Sequence, residues 1–551
     1  MVNNKQTQIE VLTLDYQLTE LPSSQHRAGL AGLVLMEGWL RRLGTNKGIC
    51  ELTRLDEWGA TLRIDLPGLE ALFNEVYAAT KEEQEYSQPF KNKITKEIIP
   101  PLREEEWQET NPKTGKTKTK KVYIYPVVVP KGGFVGDCDP SGNNGHWVKL
   151  WRDMVWSILR GVPATRKPFE ARAEGQESDD AIKVWNQLLK PPEKDTVDLP
   201  STYFLGAQAS NAENVSFKDR AKYQFLLHFW PYTAQIYVPA VINNEGNRDF
   251  IGYALAIPDV ARLKSFCEEL PEVLRSRNAE SGYRPQDSII DLAIEGALDT
   301  FCRLRDRSVQ EGERAEADLV LGIDIIHVEK QGNNIKLLEI SRLEPENRMI
   351  DEYTTAILAF WSPVFRKQRL LNLVNQCPWY TDFEQVLCKL PSKHSFGSNT
   401  FRHDARESFK NEAKEMTTSA NVMSELEDNE SQFFQLQDTH TITYEALIYR
   451  IVGIYIMRKL EVKYKLRWSA VKGDLDKEKN YKAKKEKVAK DAFFAVRNRQ
   501  EEADFINYFA SNICSVPQYI KPEDFFILTK ALYEETDKVR TLTMLALSAQ
   551  S

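Results

Sequence analysis

Apolar and polar side chains alternate from Ile9 to Leu18, the period of a half-buried strand. Pro22 and the pair Ser23–Ser24 interrupt the alternation, and Ser24 can cap a helix that runs to about Leu43. The middle of that helix, Ala28 to Met36, is apolar on nearly every face, so tertiary structure has to cover it completely. It is too short to span a bilayer, which takes roughly 20 apolar residues. Residues 48–66 return to extended structure with Gly59 as the turn, and a helix over 69–80 follows. Trp107 to Pro130 reads as a long hairpin around NPKTGK, whose Asn-Pro and Gly are turn residues. The next stretch, KGGFVGDCDPSGNNGHW from Lys131 to Trp147, is so dense in Gly, Asn and Asp that a loop with several positive φ angles is expected. Trp147 to Arg160 then carries Trp147, Leu150, Trp151, Met154, Val155 and Ile158 on one side of a helix.

In the middle of the chain YQFLLHFWPYTAQIYVPAVI (Tyr223–Ile242) and FIGYALAI (Phe250–Ile257) read as β-rich, with helices over 259–277 and 287–305. Gln331-Gly332-Asn333-Asn334 marks a hairpin, and a helix over 347–374 closes the mixed region. Residues 393–429 are polar and aperiodic, the composition of a linker. Helix-period patterns return over 442–467, 483–509 and 522–547. The sum is an α+β chain: mixed α/β N-terminal (1–170) and middle (171–392) regions with β-hairpins, a linker (393–429) and a C-terminal α-helical bundle (430–551).

Charge sharpens this picture. The chain as a whole carries a net charge of -7, so it does not wrap nucleic acid over its entire surface. Between Glu461 and Gln500, however, thirteen Lys and Arg face six Asp and Glu, a local excess of +7. The seven cysteines are scattered and form no C-x-x-C pair, so neither a zinc ribbon nor a disulfide framework is expected. With no signal-peptide pattern at the N-terminus, the expected setting is the reducing cytoplasm, without a membrane anchor.

Two blocks, LTELPSSQHRAGLAGLVLM (Leu18–Met36) and GHWVKLWRDMVWSILRGVPATRKPF (Gly145–Phe169), resemble in order and spacing the large subunit of type I CRISPR Cascade effector complexes, the Cas-eight family in its type I-MYXAN and type I-B group. The resemblance implies a subunit with no catalytic residues, cofactor or metal, docked with the Cascade backbone and guide-cap subunits near the 5′ end of the crRNA. It implies an N-terminal domain that recognises the protospacer-adjacent motif (PAM) of double-stranded target DNA and helps unwind the duplex. The C-terminal bundle would hold the displaced strand of the R-loop. Base pairing supplies sequence specificity in such machines. The downstream partner is either a recruited helicase–nuclease, for antiviral interference, or a targeting adaptor, for RNA-guided transposition. Related type I-B systems make a small subunit by internal translation, for which Met416 or Met423 could serve as the start.

Three places qualify for contact with duplex DNA. In the glycine-rich loop, Asn143 and Asn144 can meet base edges and Lys131 a phosphate, although the loop can equally serve to seat the Trp147 helix. Asn247 and Arg248 in the INNEGNRDF turn could insert a guanidinium. Lys113, Lys116, Lys118, Lys120 and Lys121 on the hairpin read either as backbone contacts or as lysines that protect an edge strand. For the displaced strand the candidates are Lys459, Lys463 and Arg467, spaced by four on one helix face, with Lys482, Lys484, Lys485, Arg497 and Arg499. Gln25, His26 and Arg27 belong to the first family block, but their place before a buried helix suits capping and packing equally well. Of the alternative functions, a metal-dependent HD-type nuclease would rest on His403–Asp404, without further histidines to complete a site. The other is an interaction protein outside CRISPR.

Overall fold

The computed structural model describes residues 10–45, 47–91, 95–110, 117–142, 144–200, 202–206, 217–243, 248–278, 284–310, 319–332, 334–416, 443–515 and 520–551. Contacts group the chain into two compact units, residues 1–239 with 250–346, and residues 240–249 with 347–551.

The first unit opens with β1 (Val11–Gln17), α1 (Ser24–Leu43), β2 (Cys50–Leu55), β3 (Gly59–Asp65) and α2 (Leu66–Val76). The strands form an antiparallel sheet in the order β1-β3-β2. Asp65 ends β3 and caps α2 by accepting from the Gly68 amide at 2.8 Å. As its composition demands, α1 is buried along most of its length. Gly29 and Gly32 lie one turn apart against the backbone of residues 226–229. A Cβ at Gly32 would stand 2.4 Å from the Phe229 carbonyl oxygen. The Gln25 side-chain amide exchanges two hydrogen bonds with the Leu205 backbone (2.9 and 3.1 Å), and the Thr233 hydroxyl donates to the Ala28 carbonyl. These contacts merge the regions 1–170 and 171–346 into one core.

Next come β4 (Ala79–Tyr86), β5 (Arg103–Thr110) and β6 (Thr117–Pro130), an antiparallel sheet in the order β4-β6-β5. They are followed by α3 (Phe134–Asp137), α4 (His146–Met154), α5 (Lys167–Ala173), α6 (Asp179–Leu188), β7 (Thr196–Asp198), β8 (Lys218–Arg220) and α7 (Ala221–Leu226). The expected α4 helix stops early, because its last turn, Val155–Leu159, widens into a π-turn. Residues 223–234, expected as strand, instead hold α7 and a 3-10 turn at Trp230–Tyr232. A continuous apolar run does not separate buried helix from buried strand, and Pro231 cannot donate to a ladder.

The remaining elements of this part are β9 (Gln235–Ile242), β10 (Arg248–Phe250), β11 (Tyr253–Val260), α8 (Leu263–Arg275), β12 (Ile289–Ile290), α9 (Glu295–Gln310), β13 (Val320–Gln331) and β14 (Asn334–Leu343). Strands β9, β11, β13 and β14 are neighbours in that order, antiparallel throughout. The β13–β14 hairpin turns where expected, with Gln331 paired to Asn334 and Gly332 at φ 63°.

An aromatic cluster lies deep in this unit. His228 packs on Phe73 and Tyr203, and its Nδ1 is 2.6 Å from the Tyr77 hydroxyl. Arg160, which can only donate, reaches that hydroxyl at 3.3 Å, so the phenol proton is directed to Nδ1 and His228 carries its own on Nε2. Burial, assisted by the Arg160 charge, pushes the imidazole down to about 3.

The second unit is helical in its larger part: α10 (Asn347–Ala359), α11 (Pro363–Val374), α12 (Phe383–Lys389), α13 (Asn399–Met416), α14 (Tyr444–Lys459), α15 (Trp468–Val471), α16 (Leu475–Arg497), α17 (Glu502–Tyr508), α18 (Pro522–Glu534) and α19 (Thr536–Ala549). Buried from Val539 to Ala549, α19 forms the axis on which α13, α14 and α16 pack. The helices expected from periodicity over 347–374, 442–467, 483–509 and 522–547 are each broken, the third between Arg497 and Glu502. Pro363 starts a new helix capped by the Ser362 hydroxyl, and Glu535 leaves helical geometry between α18 and α19. The segment expected as a linker holds α13, because Phe401, Ala405 and Phe409 recur every fourth residue and are buried. Surrounding charge hid so sparse a stripe. The fold is thus α+β as expected, with small antiparallel sheets followed by a helical C-terminal region. Among the described residues no helix is long and apolar enough to cross a membrane.

Candidate nucleic-acid interface

The glycine-rich loop has a buried floor and an exposed rim. Gly132, Gly133 and Gly142 have φ of 88°, 53° and 87°, as the composition predicts. Phe134, Val135, Cys138 and Asp139 are buried. Asp139 accepts from the Ser141 amide and from the Val148 amide, both at 2.8 Å, and so caps α4 from a distance. The floor therefore seats the Trp147 helix. On the rim, Lys131 and Asn144 are exposed, while Asn143 lies outside the described residues. Arg152 on α4 donates to Asn144 Oδ1 at 3.1 Å, and also to the backbone carbonyls of Pro130 and Lys131. A guanidinium has no acceptor, so this contact fixes the amide orientation: the Asn144 oxygen is engaged and its NH2 donors are left for another partner.

The lysine hairpin is less positive than it reads. Register sets Lys121 opposite Glu106 and Lys118 opposite Glu109, and Lys121 Nζ lies 3.7 Å from Glu104 and 3.9 Å from Glu106. Lys120 stands opposite Trp107, and Lys113 and Lys116 lie outside the described residues. Cross-strand carboxylates on β5 thus offset part of the charge on β6, a signal that register, rather than composition, carries. Asn247 also lies outside the described residues, and Arg248 begins β10, exposed.

Among the C-terminal cations, the expected four-residue alignment of Lys459, Lys463 and Arg467 does not hold. After Lys459 the chain passes through a π-turn (Leu460–Tyr464), and Lys465 then takes a positive φ of 58°. Arg467 is redirected to the start of α15, where it pairs with Glu461. What the structure brings together is different: Lys463 Nζ lies 5.5 Å and Lys484 Nζ 5.2 Å from the centre of the Tyr464 ring, with Lys459 over Tyr455. Lys463, Lys465, Lys472, Lys479, Lys482, Lys487 and Lys490 are all exposed, and Lys485 half-exposed. Arg497 and Arg499 serve the fold instead. Arg497 donates to the carbonyls of Cys388 and Leu390, and Arg499 lies over Tyr508 at 4.1 Å and donates to Ala495.

Other residues singled out from sequence are structural. His26 stands between Ser23 Oγ (2.8 Å) and Asp219 (2.9 Å), and Arg27 pairs with Asp259. Asp404 is fully buried, and its two oxygens accept from the backbone amides of Trp361 (3.1 and 3.0 Å) and Ser362 (2.6 Å). A carboxylate committed to three amide contacts at the start of α11 is an N-terminal clamp, which leaves the HD reading without its ligand. Among the described residues no group of three or more metal-ligating side chains occurs.

Residues 49–314 match the Type I-B CRISPR Cas8b N-terminal domain, and residues 320–550 match the Type I-B CRISPR Cas8b C-terminal domain. No curated protein matches the chain. The two matched stretches adjoin across nearly the whole sequence, and the chain belongs to the Cas8b family, the large subunits of type I-B CRISPR complexes.

Proposed function

We propose that this large subunit is a non-catalytic DNA-contacting component of a crRNA-guided Cascade, which recognises the PAM, helps open the duplex and steadies the R-loop. The observation that carries the reading is charge sorting. In a chain of net charge -7, the π-turn after α14 and the outer face of α16 expose a run of lysines beside Tyr464. Such a surface suits single-stranded phosphate with an aromatic neighbour for bases. The rim of the glycine loop supplies the base reader. With its oxygen oriented toward Arg152, Asn144 keeps its NH2 donors for a base, and it favours an edge rich in acceptors, such as guanine N7 and O6 or thymine O4.

The test uses a complex reconstituted with guide RNA and a target duplex. Lys479, Lys482, Lys487 and Lys490 are changed together to Glu, and permanganate reactivity of the displaced strand is followed across salt concentrations. The reading expects a shorter-lived bubble and a shallower salt dependence in the variant. Equal bubble lifetime and slope in both proteins would remove the cradle from the mechanism. A small subunit started at Met416 or Met423 belongs to the same proposal. Such a product would lack α13, whose Arg402 and Arg406 hydrogen bond to Ser551 and Ala549 at the end of the bundle. Replacing both methionines with Leu and probing for a short C-terminal product tests it. Whether the complex recruits a helicase–nuclease or a transposition adaptor is decided by which of the two co-purifies with it.

A further inference from the structure

The clamp made by Asp404 has an unusual product. The amides it holds belong to the connection between α10 and α11, and they fix the backbone of Trp361, a residue 62% exposed. The residue beside the clamp, His403, lies against the indole with ring centroids 4.0 Å apart and planes within 6°. A large aromatic group is thereby held out toward solvent, with one face covered by a parallel imidazole and its backbone tied to a buried carboxylate. Exposed tryptophans ordinarily retain side-chain freedom and lose it on binding. Here that ordering is already complete. The helix that follows, α11, carries Arg366, Lys367 and Arg369 and no carboxylate.

From this geometry we infer that Trp361, backed by His403, is a stacking platform for one unpaired nucleobase of a single-stranded nucleic acid. Every base offers a flat π-face, and a parallel two-ring stack extends to a third ring without rearrangement. Lys367, on a helix without carboxylates, complements the phosphate that accompanies a base, which an aliphatic protein side chain lacks. Exposed Leu358 on α10, three positions before Trp361, would suit an apolar protein partner instead. The platform goes beyond the lysine cradle: it acts through ring contact and needs no particular lysine.

The experiment measures binding of the full-length chain to a fluorescent oligothymidine at several salt concentrations. Trp361→Ala should weaken binding about 5- to 100-fold, while the slope of log K against log salt stays as in the unaltered chain, because stacking releases no counterions. Trp361→Phe should recover part of the loss, and His403→Ala should give an intermediate one. A 5-iodouracil oligonucleotide should photocrosslink to the peptide that contains Trp361 in the unaltered protein, so the test survives even if the alanine variant folds poorly. Unchanged affinity in Trp361→Ala, or a crosslink confined to other peptides, overturns the inference. So does unchanged oligonucleotide binding together with loss of another Cascade subunit from the assembled complex, which would assign the platform to a protein contact. The lysine variants described above separate the two ideas: they alter the salt slope, whereas the platform variants alter affinity at constant slope.

Discussion

Acid should destabilise the first unit through His228, and the size of the effect follows from its surroundings. The imidazole is buried among Phe73, Tyr77 and Tyr203 with the Arg160 guanidinium nearby, and its folded value of about 3 compares with 6.5 for the free side chain. A histidine depressed in the folded state leaves the unfolded chain as the better proton binder between those two values. The associated stability is complete above pH 6.5 and is lost as pH falls toward 3. At pH 5 one such group removes about 2 kcal/mol relative to pH 8. For a unit of this size, about 0.7 kcal/mol corresponds to one degree, so the melting point should fall by about 3 °C from this group alone. Carboxylates titrate over the same range, so the measurement is a double difference: melting of the unaltered chain and of His228→Gln, each at pH 8 and pH 5. Gln keeps an acceptor for the Tyr77 hydroxyl but takes up no proton. The variant should lose stability at pH 8 and lose about 3 °C less than the parent on acidification. Parallel shifts in the two proteins would refute the argument, because they would mean that His228 protonates without penalty.

Further expectations concern backbone approach, capping and readout. Gly32→Ala places a Cβ 2.4 Å from the Phe229 carbonyl oxygen and should cost about 1–3 kcal/mol or more in chemical denaturation, whereas the same change at Gly38, which has open space, should cost little. Asp404→Ala leaves two backbone amides without their acceptor and should cost about 2–4 kcal/mol, with Mg2+ or Mn2+ leaving the melting point of the unaltered chain unmoved. Arg152→Met frees the Asn144 amide to rotate. In a randomised-motif binding assay it should broaden base preference, while Asn144→Asp should abolish the preference for acceptor edges.

How far the sequence could be read depended on whether the deciding contacts were local. The span of α1 was legible because Pro22 and an apolar run mark it without reference to the rest of the chain, although the cap falls on Ser23 rather than Ser24 and its hydroxyl makes no capping hydrogen bond. The β13–β14 turn was legible for the same reason, since Gly332 supplies the positive φ that a tight hairpin requires. Elsewhere, distant partners decided. Residues 399–416 looked like linker because Phe401, Ala405 and Phe409 are outnumbered by charge, and packing against α11, α12, α14 and α19 makes that thin stripe sufficient. The hairpin lysines looked like a positive strip until β5 set glutamates opposite two of them, Lys118 and Lys121. Lys459, Lys463 and Arg467 keep a helical spacing in sequence, but the wider turn after Lys459 redirects the chain, and no spacing rule announces a π-turn. Arg497 and Asp404 were visible only as charges. Their partners are backbone carbonyls and amides, which leave no trace in side-chain chemistry.

The seat of α1 has a consequence for biogenesis. The helix is complete once Leu43 has been made, yet the backbone it rests on, residues 226–229, and its neighbouring strand β11 follow about 200 residues later. At ribosomal speeds of about 5–20 residues per second, the face of the apolar run Ala28–Met36 that packs on these late elements waits roughly 10–40 s for them. A nascent-chain chaperone is the natural custodian of that interval. Expression fragments ending near residue 170 would never leave it, so a soluble N-terminal piece should be cut after Glu346 rather than after the second family block.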